Sequence, residues 1–162
     1  MQIRPLALAA VCAAVFATSA AGQSTAPYSA VEVDPFVADQ GVVFPADYQN
    51  ALVENIARET SVVFNTAVIL REGDAVPFGH AVLRISGTVV KFKPGNGAKR
   101  SLPGFGAGGT VVQAEVRFAD ASTGQVLLIR EVKGHIDSQG AGESIGRKIA
   151  RLCDANRFVE SH

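Results

Sequence analysis

The sequence predicts an α+β domain in which a mainly antiparallel sheet of about five strands carries two helices on one face. The first observation is composition: 48% of the 162 residues are hydrophobic and 19% are charged, which is typical of a folded chain. The second is the predicted element order, β-α-β-β-β-β-α, in which helices do not alternate with every strand as in a doubly wound parallel fold. The third is the length, which suits a single domain.

Residues 1–22 read as a cleavable export signal. Arg4 provides a positive charge, residues 6–17 form an unbroken apolar run, and small residues follow that run. The run is shorter than the roughly 17–25 residues that a membrane-spanning helix needs. We therefore expect cleavage near residues 20–22, no transmembrane anchor, and an exported protein that is periplasmic or otherwise associated with the cell envelope.

The mature chain is expected to be one domain over residues 28–162, preceded by a disordered lead at residues 23–27. Cys12 lies inside the predicted signal, so the mature chain keeps only Cys153. With one cysteine the domain cannot form an internal disulfide. A chain of about 140 residues buries roughly two-thirds of its surface, which is enough to stabilise a fold through its core alone.

The first half of the domain predicts a strand, a helix and two further strands. Residues 31–33 alternate valine with an acid, which is typical of a half-buried strand. Apolar residues at i, i+4 spacing then predict an amphipathic helix over residues 46–60. β-branched and apolar runs predict strands over residues 62–70 and 81–92, and we interpret Gly87 within the second run as a bulge.

The second half predicts a hairpin and a final helix. Residues 110–118 alternate cleanly between apolar and polar side chains, and residues 120–124 have the composition of a turn. Residues 125–136 then form the partner strand. A last helix follows Gly142 and carries an apolar stripe at helical spacing, formed by Ile145, Ile149, Leu152 and Cys153.

Two motifs have the letters of a functional site without its context. Residues 104–109 match G-x-G-x-x-G, but a strand follows where a dinucleotide site needs a helix. Residues 142–146 match the G-x-S-x-G of a nucleophile elbow, with Asp154 and His162 following in hydrolase order. Ser144 and Asp154 lie about 15 Å apart along one predicted helix, at 1.5 Å per residue. We expect Ser144 to cap that helix instead.

Metal and cofactor chemistry is not indicated by the sequence. The histidines at positions 80, 135 and 162 are far apart and form no spaced pair of metal ligands. Cys153 falls on the apolar stripe of the last helix, where a cysteine behaves as a small buried hydrophobic residue. We therefore expect no catalytic residue, no metal site and no cofactor.

A basic, glycine-rich segment stands out in a chain whose formal net charge is zero. No acidic residue occurs between Asp74 and Glu115, and residues 93–109 hold six glycines and two prolines. One interpretation is a solvated strand edge whose lysines discourage strand addition. The other is a surface that binds a partner or an anion, since connections of this length are usually functional or disordered. The candidate partner-binding residues are Lys91, Lys93, Lys99, Arg100 and Phe105.

Several of these segments together resemble a known family. The chain resembles domain of unknown function 4410 in four segments. They are Ile-Ser-Gly-Thr-Val-Val-Lys-Phe-Lys-Pro-Gly-Asn at residues 85–96, Lys-Arg at 99–100, Gly-Phe-Gly at 104–106 and Asp-Ala-Ser-Thr-Gly at 120–124. The resemblance covers residues 28–158. That family consists of small exported bacterial proteins, many of them lipoproteins, although this chain has no cysteine placed for lipid attachment. The hairpin and element order are more weakly similar to envelope proteins of the curli-secretion and penicillin-binding-protein-activator types. These resemblances imply an α+β envelope domain without catalytic residues.

Three functional hypotheses follow from the sequence. The leading one is a non-enzymatic envelope domain that binds a protein or an anionic envelope component through residues 91–109. The first alternative is a small secreted hydrolase that uses Ser144. The second is a structural subunit that forms a homo-oligomer by pairing edge strands. The balanced charge of the chain does not indicate a nucleic-acid partner.

Overall fold

The computed structural model describes residues 28–65, 67–95, 109–136 and 142–159. The predicted export signal and the lead at residues 23–27 lie outside these residues. The described chain forms six strands and two helices: β1 (Ala30–Val33), β2 (Val37–Ala38), α1 (Ala46–Val63), β3 (Val68–Arg71), β4 (Val82–Lys93), β5 (Val111–Asp120), β6 (Val126–His135) and α2 (Ile145–Ala155). The predicted α+β class is confirmed.

The sheet is mixed, so the expectation of a mainly antiparallel sheet is wrong. Its strands lie in the order β3-β1-β4-β5-β6, and the short β2 pairs with β4. β1 runs parallel to both β3 and β4, whereas β4, β5 and β6 form an antiparallel meander. The parallel half arises because α1 carries the chain back across the sheet, so that β3 enters in the same direction as β1.

The interior position of β1, between β3 and β4, also corrects its predicted half-burial. Ala30, Val31 and Val33 are fully buried, and Glu32 is 8% exposed. Helices cover one face of β1, and a second small cluster with Leu70 and Val82 packs around Ala30 on the other face. A strand paired on both edges and covered on both faces is typical of a parallel sheet.

The predicted strand over residues 62–70 is only partly correct. α1 continues to Val63, and β3 begins at Val68. Phe64 ends the helix, where its backbone N–H donates to the carbonyl of Thr60 at 2.9 Å and its ring is 1% exposed. A continuous apolar run therefore contains a helix end, a turn and a strand, and such runs cannot be divided by periodicity alone.

β4, β5 and β6 agree with the predicted strands to within two residues, and the predicted turn between β5 and β6 is confirmed; β2 was not predicted, so the described sheet has six strands rather than about five. One carboxylate oxygen of Asp120 accepts hydrogen bonds from the backbone N–H and the hydroxyl of both Ser122 and Thr123, at 2.6–3.0 Å. Gly124 completes the turn at a φ of 71°. The hydroxyl of Ser122 is the largest cause that lowers the pKa of Asp120 to about 2.

The bulge in β4 lies three residues beyond the position that the sequence suggested. The register between β4 and β5 shifts between Val89 and Lys91, so the extra residue is Val90. Gly87 has another role, because a Cβ at that position would collide with the ring of Phe36 and the carbonyl of Glu115. Gly87 is thus required for the close approach of the Phe36 ring to the sheet.

Both helices contribute to one core with the inner face of the sheet. Leu52 and Ile56 of α1 and Ile145 and Ile149 of α2 are fully buried there, together with Phe118 of β5. The two helices also contact each other along their length. The main core therefore lies between the helices and one face of the sheet. The C-terminal end of β4 and much of the opposite face of the sheet remain at the surface.

Candidate functional site

A groove lies at the C-terminal end of β4, beside the loop that leads from β2 into α1. Its volume is about 580 Å³. We call it the basic groove and define it by the described residues that line it: Gly41, Val42, Val43, Pro45, Tyr48, Val90, Lys91, Phe92 and Pro94. The lining is largely apolar, and Val43 is 83% exposed at its surface.

Aromatic packing forms one wall of the basic groove. The ring of Phe92 lies 5.1 Å from that of Phe44 and 4.9 Å from that of Tyr48, measured between centroids. Pro45 directly precedes α1, where its fixed φ suits a helix start and its carbonyl accepts from the N–H of Tyr48 at 3.0 Å. The start of α1 thereby holds Tyr48 against the end of β4.

The bulge at Val90 decides which side chains of β4 face this wall. Side chains alternate along a strand, so one extra residue reverses the direction of every later side chain. Val89 faces the core, and because of the bulge Phe92 shares that side and pairs with Val112. Lys91 is thereby exposed on the groove rim rather than directed into the core.

The structure places two of the five predicted partner-binding residues. Lys91 and Lys93 are exposed, and neither makes an ion pair with any described residue. Lys99, Arg100 and Phe105 lie outside the described residues. The contact of Phe44, Tyr48 and Val43 with the end of β4 was not recognised from the sequence, because these three residues lie more than 40 positions before Lys91 and only the fold brings them together.

The two lysines also lie on a free strand edge. β2 pairs with β4 only at Thr88 and Val89, which lie opposite Val37 and Ala38. In the described part of the chain no strand continues along that edge beyond Val89. Exposed lysines on such an edge oppose pairing with another strand. The solvated-edge interpretation and the binding interpretation therefore describe the same surface, and the apolar groove beside it is what favours binding.

The sequence from the start of α1 to the end of β6 matches the family model described as Domain of unknown function (DUF4410), over residues 45–136. The match spans more than half of the chain. The protein belongs to the DUF4410 family. The resemblance inferred from its glycine-rich and hairpin segments is therefore confirmed.

Solved structures with a similar fold have little sequence in common with this DUF4410 chain. A PelC variant from Paraburkholderia phytofirmans, solved as a dodecamer, is 14% identical and has a TM-score of 0.53, with 82% of this chain and 90% of that chain covered. A DUF330 protein from Xanthomonas campestris is 11% identical, with 80% and 79% covered and a TM-score of 0.43. Lipoprotein GNA1162 from Neisseria meningitidis is 14% identical, with 78% and 95% covered and a TM-score of 0.39.

At this identity the PelC likeness shows the fold alone. No curated protein matches the chain in sequence. Within the described ranges, no helix of the DUF4410 domain is long and apolar enough to cross a membrane.

Ser144 caps α2, as the sequence predicted. Its hydroxyl oxygen accepts from the backbone N–H of Arg147 at 3.1 Å, and the residue is only 7% exposed. Among the described residues the hydroxyl has no hydrogen bond to a histidine or a carboxylate. Asp154 lies near the opposite end of the same helix, and His162 lies outside the described residues. The described geometry thus contains no activated serine at this position.

The second glycine of that motif has a packing role. The backbone N–H of Gly146 donates to the side-chain oxygen of Asn55 on α1 at 2.9 Å. A Cβ on Gly146 would lie 2.6 Å from both that oxygen and the Asn55 carbonyl oxygen. The G-x-S-x-G sequence is therefore explained by a helix cap followed by a close helix–helix contact. No group of metal-ligating side chains occurs in the part of the chain that the structure describes.

Cys153 is fully buried in the α2 stripe, and burial raises the pKa of its thiol to about 12. Because the thiolate is the reactive form, we expect the mature native protein to react slowly with a thiol reagent and the denatured protein to react fast. Cys153→Ser should lower the free energy of unfolding by roughly 1–3 kcal/mol, since it buries a hydroxyl. Cys153→Ala, which adds no polar group, is the control. Rapid labelling under native conditions would show that α2 is exposed.

Proposed function

We propose that this DUF4410 chain is an exported, non-enzymatic domain of the cell envelope that binds a protein partner through the basic groove and the adjoining residues up to 109. The observation that carries the proposal is the largely apolar groove with the exposed Lys91 in its lining and the exposed Lys93 directly beside it. Localisation is supported by the predicted export signal at residues 1–22 and by the resemblance to a family of exported proteins.

The chemistry of the lining favours binding over catalysis. Tyr48 and Lys91 are the only ionisable side chains among the described residues that line the basic groove, and the lining includes no carboxylate or histidine. General acid–base work needs a titratable pair within reach of a substrate. An exposed valine and clustered aromatic rings offer instead the apolar contact surface that interfaces use.

The partner is a protein segment that carries apolar and acidic side chains. Two lysines at an anionic membrane surface contribute roughly 1 kcal/mol each, which is too little for stable attachment. The rest of the binding free energy must come from the exposed apolar surface of Val43 and its neighbours, which contributes only when apolar groups of the partner cover it. A bare anion or lipid headgroup offers no such groups.

The test is capture from native envelope extracts. We expect the immobilised mature domain to retain a partner, and Lys91→Glu with Lys93→Glu to remove most of that capture while leaving the melting temperature nearly unchanged. The control is Arg58→Glu with Arg151→Glu, which makes the same change of charge at exposed positions on α1 and α2 and also breaks their ion pairs with Glu59 and Glu143. Crosslinking of the retained protein identifies the contact.

Two outcomes contradict the proposal. If the groove variant captures as much as the control variant, the interaction surface lies elsewhere and the solvated-edge interpretation is correct. If capture depends only on salt and is reproduced by anionic vesicles, the partner is a lipid surface. Variants at Lys99, Arg100 and Phe105 extend the test: Phe105→Ala is expected to weaken capture with little dependence on salt, and charge reversal at the other two to account for the salt effect.

A structural role in a homo-oligomer is the second candidate. β6 is an edge strand of ten residues whose Val126 and Ile129 are 39% and 42% exposed. Such an edge is open to pairing with another chain. The PelC variant, whose fold is similar, was solved as a dodecamer. Light scattering of the mature domain gives its mass in solution and decides this candidate.

A further inference from the structure

A second groove lies on the outer face of the sheet, on the side away from the helices. We call it the acidic groove; it has a volume of about 580 Å³ and is lined by Asp34, Pro35, Val37, Glu72, Ser86, Gly87, Thr88, Glu115, Arg117 and Ile129. Its lining and that of the basic groove have no residue in common. The two grooves are therefore separate surfaces on one chain.

The acidic groove carries uncompensated negative charge. Three carboxylates line it against one lining cation, Arg117; of the three, Asp34 also lies 3.6 Å from the Nε of Arg84. Glu72 and Glu115 form no ion pair with the residues that the structure describes. Glu115 also lies directly opposite Glu131 across the β5–β6 ladder, and like charges in that position repel. A cation brought into this groove would relieve that repulsion.

Apolar side chains accompany the charges in the acidic groove, as they do in the basic groove. Val37 is 59% exposed and Ile129 is 42% exposed within its lining, which also includes Pro35. The lining of the basic groove includes Val43 and the unpaired Lys91, and the unpaired Lys93 lies next to it, between the lining residues Phe92 and Pro94. The surfaces thus match in both respects that an interface requires, with apolar area on each side and opposite charge at the rim.

We infer that the partner of the basic groove is a second copy of this chain, whose acidic groove receives Lys91 and Lys93. The inference rests on the proposed function and names its partner. Within one chain Lys91 and Glu115 form no ion pair, so both charges are available to a neighbour. Because the two surfaces differ, each contact leaves a basic groove free on one copy and an acidic groove free on the other, and association continues until the assembly closes on itself.

The test uses two variants of the mature domain that each alter one surface. The first is Lys91→Glu with Lys93→Glu, and the second is Glu72→Lys with Glu115→Lys. We expect the wild-type domain to increase in mass with concentration in light scattering. Each variant alone should associate at least about tenfold more weakly than the wild type, because the attraction between the exposed lysines and carboxylates becomes a repulsion. Arg58→Glu with Arg151→Glu should associate like the wild type.

Mixing the two variants is the decisive measurement. The first variant keeps a normal acidic groove and the second keeps a normal basic groove, so the mixture should associate although neither variant does so alone. A single chain with all four substitutions should also recover self-association, since both surfaces are reversed together. A mixture that stays monomeric, or variants that associate like the wild type, would falsify the inference.

The outcomes separate this inference from the proposed function. If the wild-type domain stays monomeric at every concentration but still captures an envelope protein through Lys91 and Lys93, the partner is another protein and only the self-association is wrong. If it neither self-associates nor captures anything through those lysines, the proposed function itself is wrong. Circular dichroism and the melting temperature of each variant show that it is folded before either conclusion is drawn.

Discussion

Arg84→Met is expected to lower the free energy of unfolding by roughly 1.5–3 kcal/mol at pH 7, the cost of losing a hydrogen bond to a charged group, because Glu32 is buried although Arg84 is itself 42% exposed. The Nε of Arg84 donates to Glu32 at 2.8 Å, and Glu32 is buried in the interior strand β1 with a side chain that is 10% exposed. Asp34 lies 3.6 Å from the same nitrogen. Without the guanidinium of Arg84, the carboxylates of Glu32 and Asp34 lose the cation that they share, which destabilises the folded state.

The matched control is Arg71→Met. It removes an equally well-formed contact with Glu54, but both partners of that pair are about half exposed, so we expect a cost below about 1 kcal/mol. Adding Glu32→Gln to Arg84→Met should recover much of the lost stability. If the variants at Arg84 and Arg71 cost the same in urea unfolding, the pair with Glu32 does not stabilise β1.

The cost of Arg84→Met should also depend on pH. Burial, and next the charge of Glu32, raise the pKa of Asp34, whereas Arg84 lowers it. Removing Arg84 raises this pKa further above its unfolded value. The folded variant then binds a proton more readily than the unfolded chain, so the difference from the wild type should shrink as the pH falls from 7 toward about 4. A constant difference over that range would exclude this explanation.

Gly146→Ala is expected to destabilise the domain by roughly 1–3 kcal/mol, the usual cost of overpacking. Helix propensity alone predicts the opposite sign, since alanine is favoured over glycine by about 1 kcal/mol inside a helix. The added Cβ would lie 2.6 Å from the carbonyl oxygen of Asn55, which belongs to the backbone of α1 and cannot rotate away. The two helices would have to separate to accommodate it.

A background variant distinguishes the two contacts of that Cβ. Asn55→Ala removes the side-chain oxygen but leaves the backbone carbonyl, so Gly146→Ala should remain destabilising when the two are combined. Thermal unfolding of the four proteins gives the coupling between the positions. A melting temperature that rises in Gly146→Ala would mean that the helices separate without cost and that propensity decides.

The parts of the fold that the sequence predicted are those encoded by near neighbours. The strand β5 was recognised by its alternation, α2 by a stripe with Ile145 and Ile149, and the hairpin turn by the composition around Asp120. The capping role of Ser144 is of the same kind, because the donor lies three residues away. In each case the side chains and the backbone groups that they satisfy lie within one turn or one pleat.

Strand direction could not be predicted in this way. The sequence of β1 looks like that of a half-exposed antiparallel strand, because Glu32 alternates with valines. Its burial depends on Arg84, 52 positions away, which neutralises the carboxylate. The extent of β3 was misjudged for a related reason, since the preceding apolar run serves α1 and the core at Phe64 as well as the strand.

The features of the candidate site also separate into those encoded by near neighbours and those that depend on contacts between distant segments. The amino-acid sequence was enough to predict a basic, glycine-rich segment after a strand, to identify Lys91 and Lys93, and to recognise the family to which the chain belongs. The exposure of Lys91 beside an apolar wall follows from the fold, because a bulge at Val90 reverses the side chains and the start of α1 brings Tyr48 against Phe92. Charge and periodicity are local properties of a chain, whereas a groove exists only where distant segments pack against one another.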